Sequence, residues 1–368
     1  MVEQALSKFA RVLLQYSLQL KKGDLFIIYG ESVSTPLVVE AYRQALGLGA
    51  HPHVRIKPNG LDEIYFKEAS SAQLTFVSEF ERLEAERPDS MLYIWGTENT
   101  RALENISPKR ISLSDGARRE LFTRRLERIA SGELRWCGTQ YPTQADAQEA
   151  EMSLGEYSEF VFKSCLLHKR NPILEWKKLS ARQEKLIESL RKYKEIRVVA
   201  RDTDLKMSVE GRKWINCDGK ENFPDGEIFT SPIEDSAEGT ILFTFPAVHR
   251  KREAREVRLR FKSGKVVEAR AAKGEDYLRS MLDMDEGARR IGEFSFGTNY
   301  NVQRFTRNTL FDEKIGGTIH IALGASLPES GGQNVSALHW DMVCDLRQHG
   351  EVYGNGNLIH KRGKFLIQ

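Results

Sequence analysis

Two histidines and an aspartate near the C-terminal end of the chain have the side chains and the spacing of a metal site. His320 lies in the apolar run TIHIALG, and the segment HWD places His339 and Asp341 19 and 21 positions further on. Side chains alternate along a strand, so His339 and Asp341 point to one face and Trp340 to the other. The intervening segment is rich in glycine, serine and asparagine and could return the chain alongside the first strand. One pocket could then hold two imidazoles and a carboxylate.

Two glutamates in the second half of the chain could add further carboxylate ligands. Glu227 follows the turn FPDG, where a lone glutamate is more often a surface residue than a ligand. Glu293 lies in the apolar run IGEFSFG, where burial without a partner would be costly, so an outward-facing residue and a ligand are both open. With the histidines and the aspartate they form a mixed nitrogen and oxygen set suited to Zn²⁺, Co²⁺, Mn²⁺ or Fe²⁺. Two ions roughly 3.5–4 Å apart could polarise a scissile carbonyl and activate a shared water.

Other chemistries find little support in the sequence. The HExxH motif of thermolysin-like metalloproteases and the GxSxG elbow of serine hydrolases are absent. Gly47 and Gly49 follow a predicted helix, so they fit a helix C-cap and not a dinucleotide-binding loop. There is no CxxC pair to indicate a zinc ribbon or a thioredoxin-type motif, and four dispersed cysteines read as reduced core residues: Cys137, Cys165, Cys217 and Cys344.

Composition and charge predict a soluble globular protein. The 368 residues are 40% hydrophobic and 29% charged. The 55 basic and 52 acidic side chains nearly cancel to +3, which implies neither nucleic acid nor an anionic membrane as a partner. Residues 1–20 interrupt their apolar positions with charges, unlike a signal peptide, and no segment reaches the roughly 18 apolar residues of a membrane span. Together with the dispersed cysteines, this predicts a cytoplasmic protein.

The order of the predicted elements indicates an α/β fold in two domains, as expected beyond the size of one typical core. Apolar strands alternate with helices in the first half, which predicts an α/β domain with a mainly parallel sheet over 1–195, including a connecting helix at 171–195. Short strands and tight turns follow, and predict a β-rich α+β domain over 196–368 that carries the metal site. First-half helices are expected at 3–20, 35–46 and 72–85, and strands at 24–30, 51–56, 91–96 and 133–142.

Several of these segments resemble the M29 family of metallo-aminopeptidases. The most specific are NTLFDEKIGGTIHIALG (308–324) and GGQNVSALHWD (331–341), supported by FPDGEIFTSP (223–232) and GEFSFG (292–297). The resemblance covers nearly the whole chain and implies a homodimer that removes an N-terminal residue, often a bulky apolar one such as leucine, from peptides. It also implies two divalent ions, Zn²⁺, Co²⁺ or Mn²⁺, held by Glu227, Glu293, His320, His339 and Asp341.

One position departs from the family pattern. The family usually has a tyrosine seven residues after the HIALG histidine, and this chain has Leu327, which can neither donate a hydrogen bond nor coordinate. Loss of one such donor typically costs about 10²–10³ in rate, unless another side chain, for which Tyr300 is a candidate, replaces it. Glu313 could shuttle the proton to the leaving amine, or with Asp312 recognise the substrate ammonium. A turn acid that caps the following segment fits these two acids equally well.

Two other functions stay open from the sequence. The two histidines and the aspartate alone satisfy a mononuclear Fe(II) site, as in a ring-cleaving dioxygenase on the same scaffold. Such a site has no need of both glutamates, which favours two metals. The other alternative is a catalytically weakened homologue, for which Leu327 is the sole sequence support.

Overall fold

A computed structural model of the chain describes residues 2–249 and 252–367. One unit consists of Met1–Ile173 and Gly219–Phe223, and a second of Leu174–Asp218 and Pro224–Gln368. The domain boundary predicted between residues 195 and 196 leaves the long connecting helix with the first domain. In the structure almost all of that helix belongs to the second unit.

The bounds of the elements in the described residues are as follows. The helices are α1 (Val2–Val12), α2 (Thr35–Gly47), α3 (Leu61–Glu68), α4 (Ser71–Thr75), α5 (Glu79–Glu86), α6 (Pro108–Ala117), α7 (Arg119–Ala130), α8 (Gln144–Glu149), α9 (Leu154–Ser164), α10 (Pro172–Leu190), α11 (Glu275–Leu282) and α12 (Thr309–Asp312). The strands are β1 (Leu25–Glu31), β2 (His51–Lys57), β3 (Ser90–Trp95), β4 (Arg135–Gln140), β5 (Glu195–Ala200), β6 (Thr203–Ser208), β7 (Ile215–Cys217), β8 (Asn222–Phe223), β9 (Glu227–Thr230), β10 (Glu238–Leu242), β11 (Ala247–His249), β12 (Arg252–Ala254), β13 (Arg258–Lys262), β14 (Lys265–Arg270), β15 (Ile291–Gly297), β16 (Thr318–Gly324), β17 (His339–Asp345), β18 (Glu351–Gly354), β19 (Asn357–Lys361) and β20 (Lys364–Phe365).

The first unit contains a parallel sheet with helical connections, as predicted. Its strand order is β2-β1-β3-β4-β8, and every neighbouring pair is parallel. The apolar runs of β1 and β3 are largely buried, as expected for parallel strands covered by helices. The single helix predicted at 72–85 is wrong, because the chain is extended at Phe76 and a second helix, with Ser78 as its N-cap, begins at Glu79. Ser78 and Glu81 form a reciprocal capping box there, which favours a second helix start.

The second unit is rich in antiparallel strands, in agreement with the predicted β-rich domain. One sheet has the order β14-β13-β10-β6-β5-β18-β19-β20, another has β17-β16-β15-β9-β7, and β11 and β12 form a two-stranded antiparallel sheet. A turn around Asn355 joins β18 to β19. None of the described helices combines the length and the apolar character needed to cross a bilayer.

The sheet β17-β16-β15-β9-β7 has one apolar face and one polar face. Side chains of the apolar face pack into the main core of the unit, among them Ile228, Phe294, Ile321 and Trp340. Because alternate side chains point to opposite faces, the intervening residues of the same strands lie on the other face. The burial of Trp340 confirms that His339 and Asp341 share the face opposite to it. The hydrophobic core therefore determines which residues can meet in the polar pocket.

Candidate metal centre

Four neighbouring strands bring the predicted ligands onto the polar face of this sheet. In the antiparallel ladder Ala322 is opposite both Glu293 and Asp341, and His320 is opposite Ser295. Directly opposed residues lie on the same face of a sheet. The pairing of β16 with β17 confirms that the segment after His320 returns alongside the first strand. The five predicted ligands meet on this face: Glu227, Glu293, His320, His339 and Asp341.

Glu293 lies between the two histidines. Its Oε1 is 3.1 Å from Nε2 of His320, and its Oε2 is 3.6 Å from Nε2 of His339. Oε2 of Glu227 is 3.5 Å from the same nitrogen of His320, and Oδ1 of Asp341 is 3.4 Å from that of His339. The candidate ligand atoms of Glu227, Glu293 and His320 lie within 4.8 Å of one another, and so do those of Glu293, His339 and Asp341. Two groups of three donors therefore share one carboxylate, that of Glu293.

Burial and mutual charge control the protonation of these groups. Burial raises the pKa of the Glu293 carboxyl. Burial alone would lower the pKa of His320, but its hydrogen bond with Glu293 and the surrounding carboxylates raise that pKa to about 9. The pKa of His339 is likewise raised to about 10, against the effect of burial, by the charge of Asp341. Burial would raise the pKa of Asp341, but the charge of His339 lowers it overall. Protonated histidines thus neutralise the carboxylates where no ion is bound.

Glu313 lies at the same centre, directly after α12. Its carboxylate belongs to a group in which candidate ligand atoms of Glu313, His320 and Asp341 lie within 4.8 Å of one another. Burial raises the pKa of Glu313 to about 8, and the charge of Lys314 opposes this rise. A carboxyl group that titrates near neutral pH is suited to accept a proton and return it.

Lys314 is a residue of this centre that sequence reasoning missed. Its side chain is fully buried, and its Nζ is 2.7 Å from Oε1 of Glu227 and 3.5 Å from Oδ1 of Asp225. It also forms an ion pair with its neighbour Glu313. Lysine is almost never fully buried unless it is paired. The signal was a lysine directly after two acids and before a buried strand, but a charge pattern of this kind is usually a solvated turn.

Asp312 and Tyr300 serve other contacts. The carboxylate of Asp312 accepts hydrogen bonds from the backbone nitrogen and the hydroxyl of Thr306, at 2.6 and 2.9 Å. It therefore closes the loop before α12, whereas the turn-acid interpretation expected it to cap the segment that follows. The hydroxyl of Tyr300 donates to the carbonyl oxygen of Gly363 at 2.8 Å. The Tyr300 phenol is engaged there, so it does not replace the tyrosine missing at position 327.

Leu327 lies in the loop that follows β16. Its carbonyl oxygen accepts hydrogen bonds from the backbone nitrogen and hydroxyl of Ser330, at 3.1 and 2.7 Å. Two residues earlier, the carbonyl oxygen of Ala325 accepts a hydrogen bond from Nδ1 of His339 at 3.0 Å. The loop is thus anchored next to a predicted ligand, and its leucine brings apolar surface where the family pattern has a phenol.

The chemistry of this donor set fits divalent metal ions. Two imidazole nitrogens and three carboxylates face one another, and such mixed sets bind Zn²⁺, Co²⁺ and Mn²⁺. The bond from Nδ1 of His339 to Ala325 leaves Nε2 directed at Glu293 and Asp341. A backbone carbonyl on the second ring nitrogen is the usual way in which a protein orients a ligating histidine.

Comparison with known proteins agrees with this geometry. The family model described as thermophilic metalloprotease (M29) matches residues 2–365. The chain belongs to the M29 family of metallo-aminopeptidases. It is therefore a metal-dependent exopeptidase, as the motifs around His320 and His339 implied.

Individual relatives of this M29 protein are distant but extensive matches. Aminopeptidase 2 of Geobacillus stearothermophilus is 26% identical over 354 residues, which cover 89% of this chain and 84% of the relative. Aminopeptidase T of Thermus thermophilus is 26% identical over 287 residues, which cover 71% of this chain and 66% of that relative. The solved structure of wild-type AmpT from Thermus thermophilus superposes with a TM-score of 0.87 at 23% identity and covers 100% of both chains, which shows a shared fold. These matches do not favour the dioxygenase alternative.

Proposed function

We propose that the protein removes the N-terminal residue of peptides, preferably an apolar one such as leucine, with two divalent ions held at this centre. The observation that carries the proposal is the position of Glu293, whose two oxygens face different histidines. Glu227 and His320 would hold one ion, His339 and Asp341 would hold the other, and Glu293 could contribute to both. Zn²⁺, Co²⁺ or Mn²⁺ would suit these donors.

The side chains around the ions would carry the proton transfers. When bound, the ions would supply a Lewis acid for the scissile carbonyl and would lower the pKa of a water molecule toward neutrality. Glu313 would accept the proton of the attacking water and deliver it to the leaving amine, since its raised pKa suits both directions of transfer. The side chain of His339 is 34% exposed whereas that of Glu293 is 5% exposed, which supports an approach of the substrate from the His339 side.

The compartment and the assembly state are part of the same proposal. All four cysteines are free thiols, three of them buried, which suits a reducing cytoplasm. The homodimer rests on the family resemblance. Light scattering that finds a monomer at working concentration would contradict it.

Metal content and turnover, measured on one preparation, test the proposed reaction. Elemental mass spectrometry of protein purified without added metal is expected to find about two Zn, Co or Mn atoms per chain, together with hydrolysis of Leu-p-nitroanilide. Chelation should abolish turnover, and His339→Ala should remove it while leaving the circular dichroism spectrum unchanged. About one iron per chain without turnover would support the dioxygenase alternative instead. Full turnover by metal-stripped protein would exclude the proposed mechanism.

A further inference from the structure

The buried ammonium of Lys314 lies among acids that belong to the metal centre. It contacts the carboxylates of Asp225, Glu227 and Glu313, and each of these carboxylates is buried or largely buried. Lys314 itself is fully buried. One ammonium group therefore joins a predicted metal ligand, Glu227, to the predicted proton carrier, Glu313.

This contact leaves Glu227 with one oxygen for the metal centre. Oε1 of Glu227 is 2.7 Å from the Lys314 ammonium, whereas Oε2 lies 3.5 Å from Nε2 of His320 and accepts a hydrogen bond from the hydroxyl of Ser295 at 3.3 Å. Oε1 of Glu227 thus faces the lysine ammonium, and Oε2 faces the metal centre at His320. Glu227 differs in this from Glu293, both of whose oxygens face histidines.

The ammonium also lies where a further cation would otherwise have donors. Candidate ligand atoms of Cys217, Asp225 and Glu227 lie within 4.8 Å of one another. Lys314 contacts two of these three residues, at 3.5 and 2.7 Å. A thiol and two carboxylates form a set that divalent ions bind when the thiol is deprotonated. In this chain the lysine supplies the positive charge at that position.

We propose that Lys314 is a built-in cation of the metal centre, a positioning residue that fixes Glu227 and Glu313 and closes a third cation position formed by Cys217, Asp225 and Glu227. The inference rests on the proposed two-ion function. Residues that orient metal ligands commonly change metal affinity or activity by about 10–100-fold when they are replaced. Lys314 would act in this way through ionic contacts with two residues of the site at once.

Cobalt spectroscopy of Lys314→Met tests this role without relying on turnover. Methionine ends near the position of the lysine ε-carbon, so it keeps most of the packing and vacates the ammonium position. Titration of metal-stripped protein with Co²⁺ is expected to load two ions in the wild type without a cobalt–thiolate charge-transfer band in the near ultraviolet. Lys314→Met should bind a third Co²⁺ with such a band, and adding Cys217→Ser should abolish the band. The kcat of the Lys314→Met single variant for Leu-p-nitroanilide should fall by about 10-fold or more, with a much smaller change in KM.

Lys206→Met is the matched control. Lys206 makes an exposed ion pair with Glu195 at the same distance of 2.7 Å, so its replacement removes the same charge away from the centre. It should retain two cobalt ions and wild-type kcat. A Lys314→Met protein that binds two ions without the thiolate band and keeps wild-type kcat would overturn the proposal.

The wild type decides the question if Lys314→Met does not fold. A thiolate band in the wild type at excess Co²⁺ would show that the third position is open despite Lys314, and would overturn the inference. Wild-type protein that binds no Co²⁺ would contradict the proposed two-ion function, which is a distinguishable failure.

Discussion

At the scale of single residues, the centre depends on carboxylates that are buried close to one another. A buried carboxylate is costly unless a cation is beside it, and removing one member of a buried ion pair typically costs about 3–5 kcal/mol. Lys314 compensates Glu227 and Glu313, and the two histidines compensate Glu293 and Asp341. The contacts that offset the cost of burying these acids therefore also limit their rotamers.

Replacing the proposed proton carrier should slow the reaction without emptying the site. Glu313→Gln keeps the shape of the side chain but cannot take up a proton, and general acid–base catalysis typically contributes about 10²–10⁴-fold. We expect kcat for Leu-p-nitroanilide to fall within that range while metal content stays at the wild-type value. Glu329→Gln, at an exposed glutamate, serves as the control. A parallel loss of metal would assign Glu313 to ion binding instead.

Introducing the family tyrosine should raise the rate. Leu327 follows Ala325, whose carbonyl oxygen is bonded to His339, so a phenol in this loop could reach the charge that develops on the scissile carbonyl. Leu327→Tyr is expected to increase kcat by about 10-fold or more. Steady-state kinetics on Leu-p-nitroanilide would measure it, with Leu327→Phe as the control that adds the ring without the hydroxyl. Equal rates in both variants would show that the hydroxyl has no role.

At the scale of elements, the position of His339 depends on how closely β17 approaches β16. Gly324 ends β16 opposite His339 and has a φ of 102°, a conformation that favours glycine. A Cβ at this position would lie 2.1 Å from the carbonyl oxygen of Leu338. Any side chain here would therefore push apart the two strands that carry His320 and His339.

Gly324→Ala should damage stability and metal binding together. Backbone strain of this kind costs about 1–3 kcal/mol, and the clash with Leu338 adds to it. We expect a lower free energy of unfolding in urea and weaker binding of Mn²⁺ by calorimetry. Gly116→Ala is the control, because a Cβ there meets no atom within 4 Å and its φ is ordinary. Unchanged metal affinity in Gly324→Ala would show that this turn does not position His339.

The strand β19 makes stability depend on pH through a buried neutral histidine. His360 packs against Phe296 and Phe365, and burial lowers its pKa to about 4. The unfolded chain takes up a proton near pH 6.5, whereas the folded chain does so only near pH 4. This residue therefore removes stability as the pH falls from about 6.5 to about 4, by about 3 kcal/mol in all. The free energy of unfolding in urea should fall less over this pH window in His360→Leu than in the wild type. An equal fall in both proteins would contradict the lowered pKa of His360.

At the scale of the whole molecule, metal binding and folding should be linked. The candidate ligands come from β9, β15, β16 and β17, so only the folded sheet brings them together. An ion that binds the folded state at a free concentration of 100 Kd stabilises it by about 2.7 kcal/mol. The second unit should consequently be the part of the chain that responds to metal.

Metal removal should lower the thermal stability of the protein. We expect chelation to decrease Tm by roughly 5–10 °C, and added Mn²⁺ or Zn²⁺ to restore it. Scanning calorimetry would measure the shift, and His339→Ala should show a smaller one because it retains an incomplete donor set. Identical Tm values for wild-type protein with and without metal would contradict the link.

Much of the molecule could be predicted from local patterns. Apolar runs such as that of β1 indicate buried strands because burial requires apolar side chains, and the alternation in HWD determines that His339 and Asp341 share a face. The motifs around His320 identified the family, since their residue types reflect the chemistry that they perform. These features depend on neighbours in the sequence, and so the sequence by itself determined them.

Other features were decided by the tertiary structure alone. The burial of Lys314 arises because β9 brings Glu227 and Asp225 against a turn 87 residues away from Glu227. The sharing of Glu293 between two histidines depends on the register of β15, β16 and β17. The sequence by itself determined the strands, the family and the ligand candidates. Which charge lies beside which acid, and hence what Glu313 and the buried Lys314 can do, depends on distances between remote segments that only the folded chain sets.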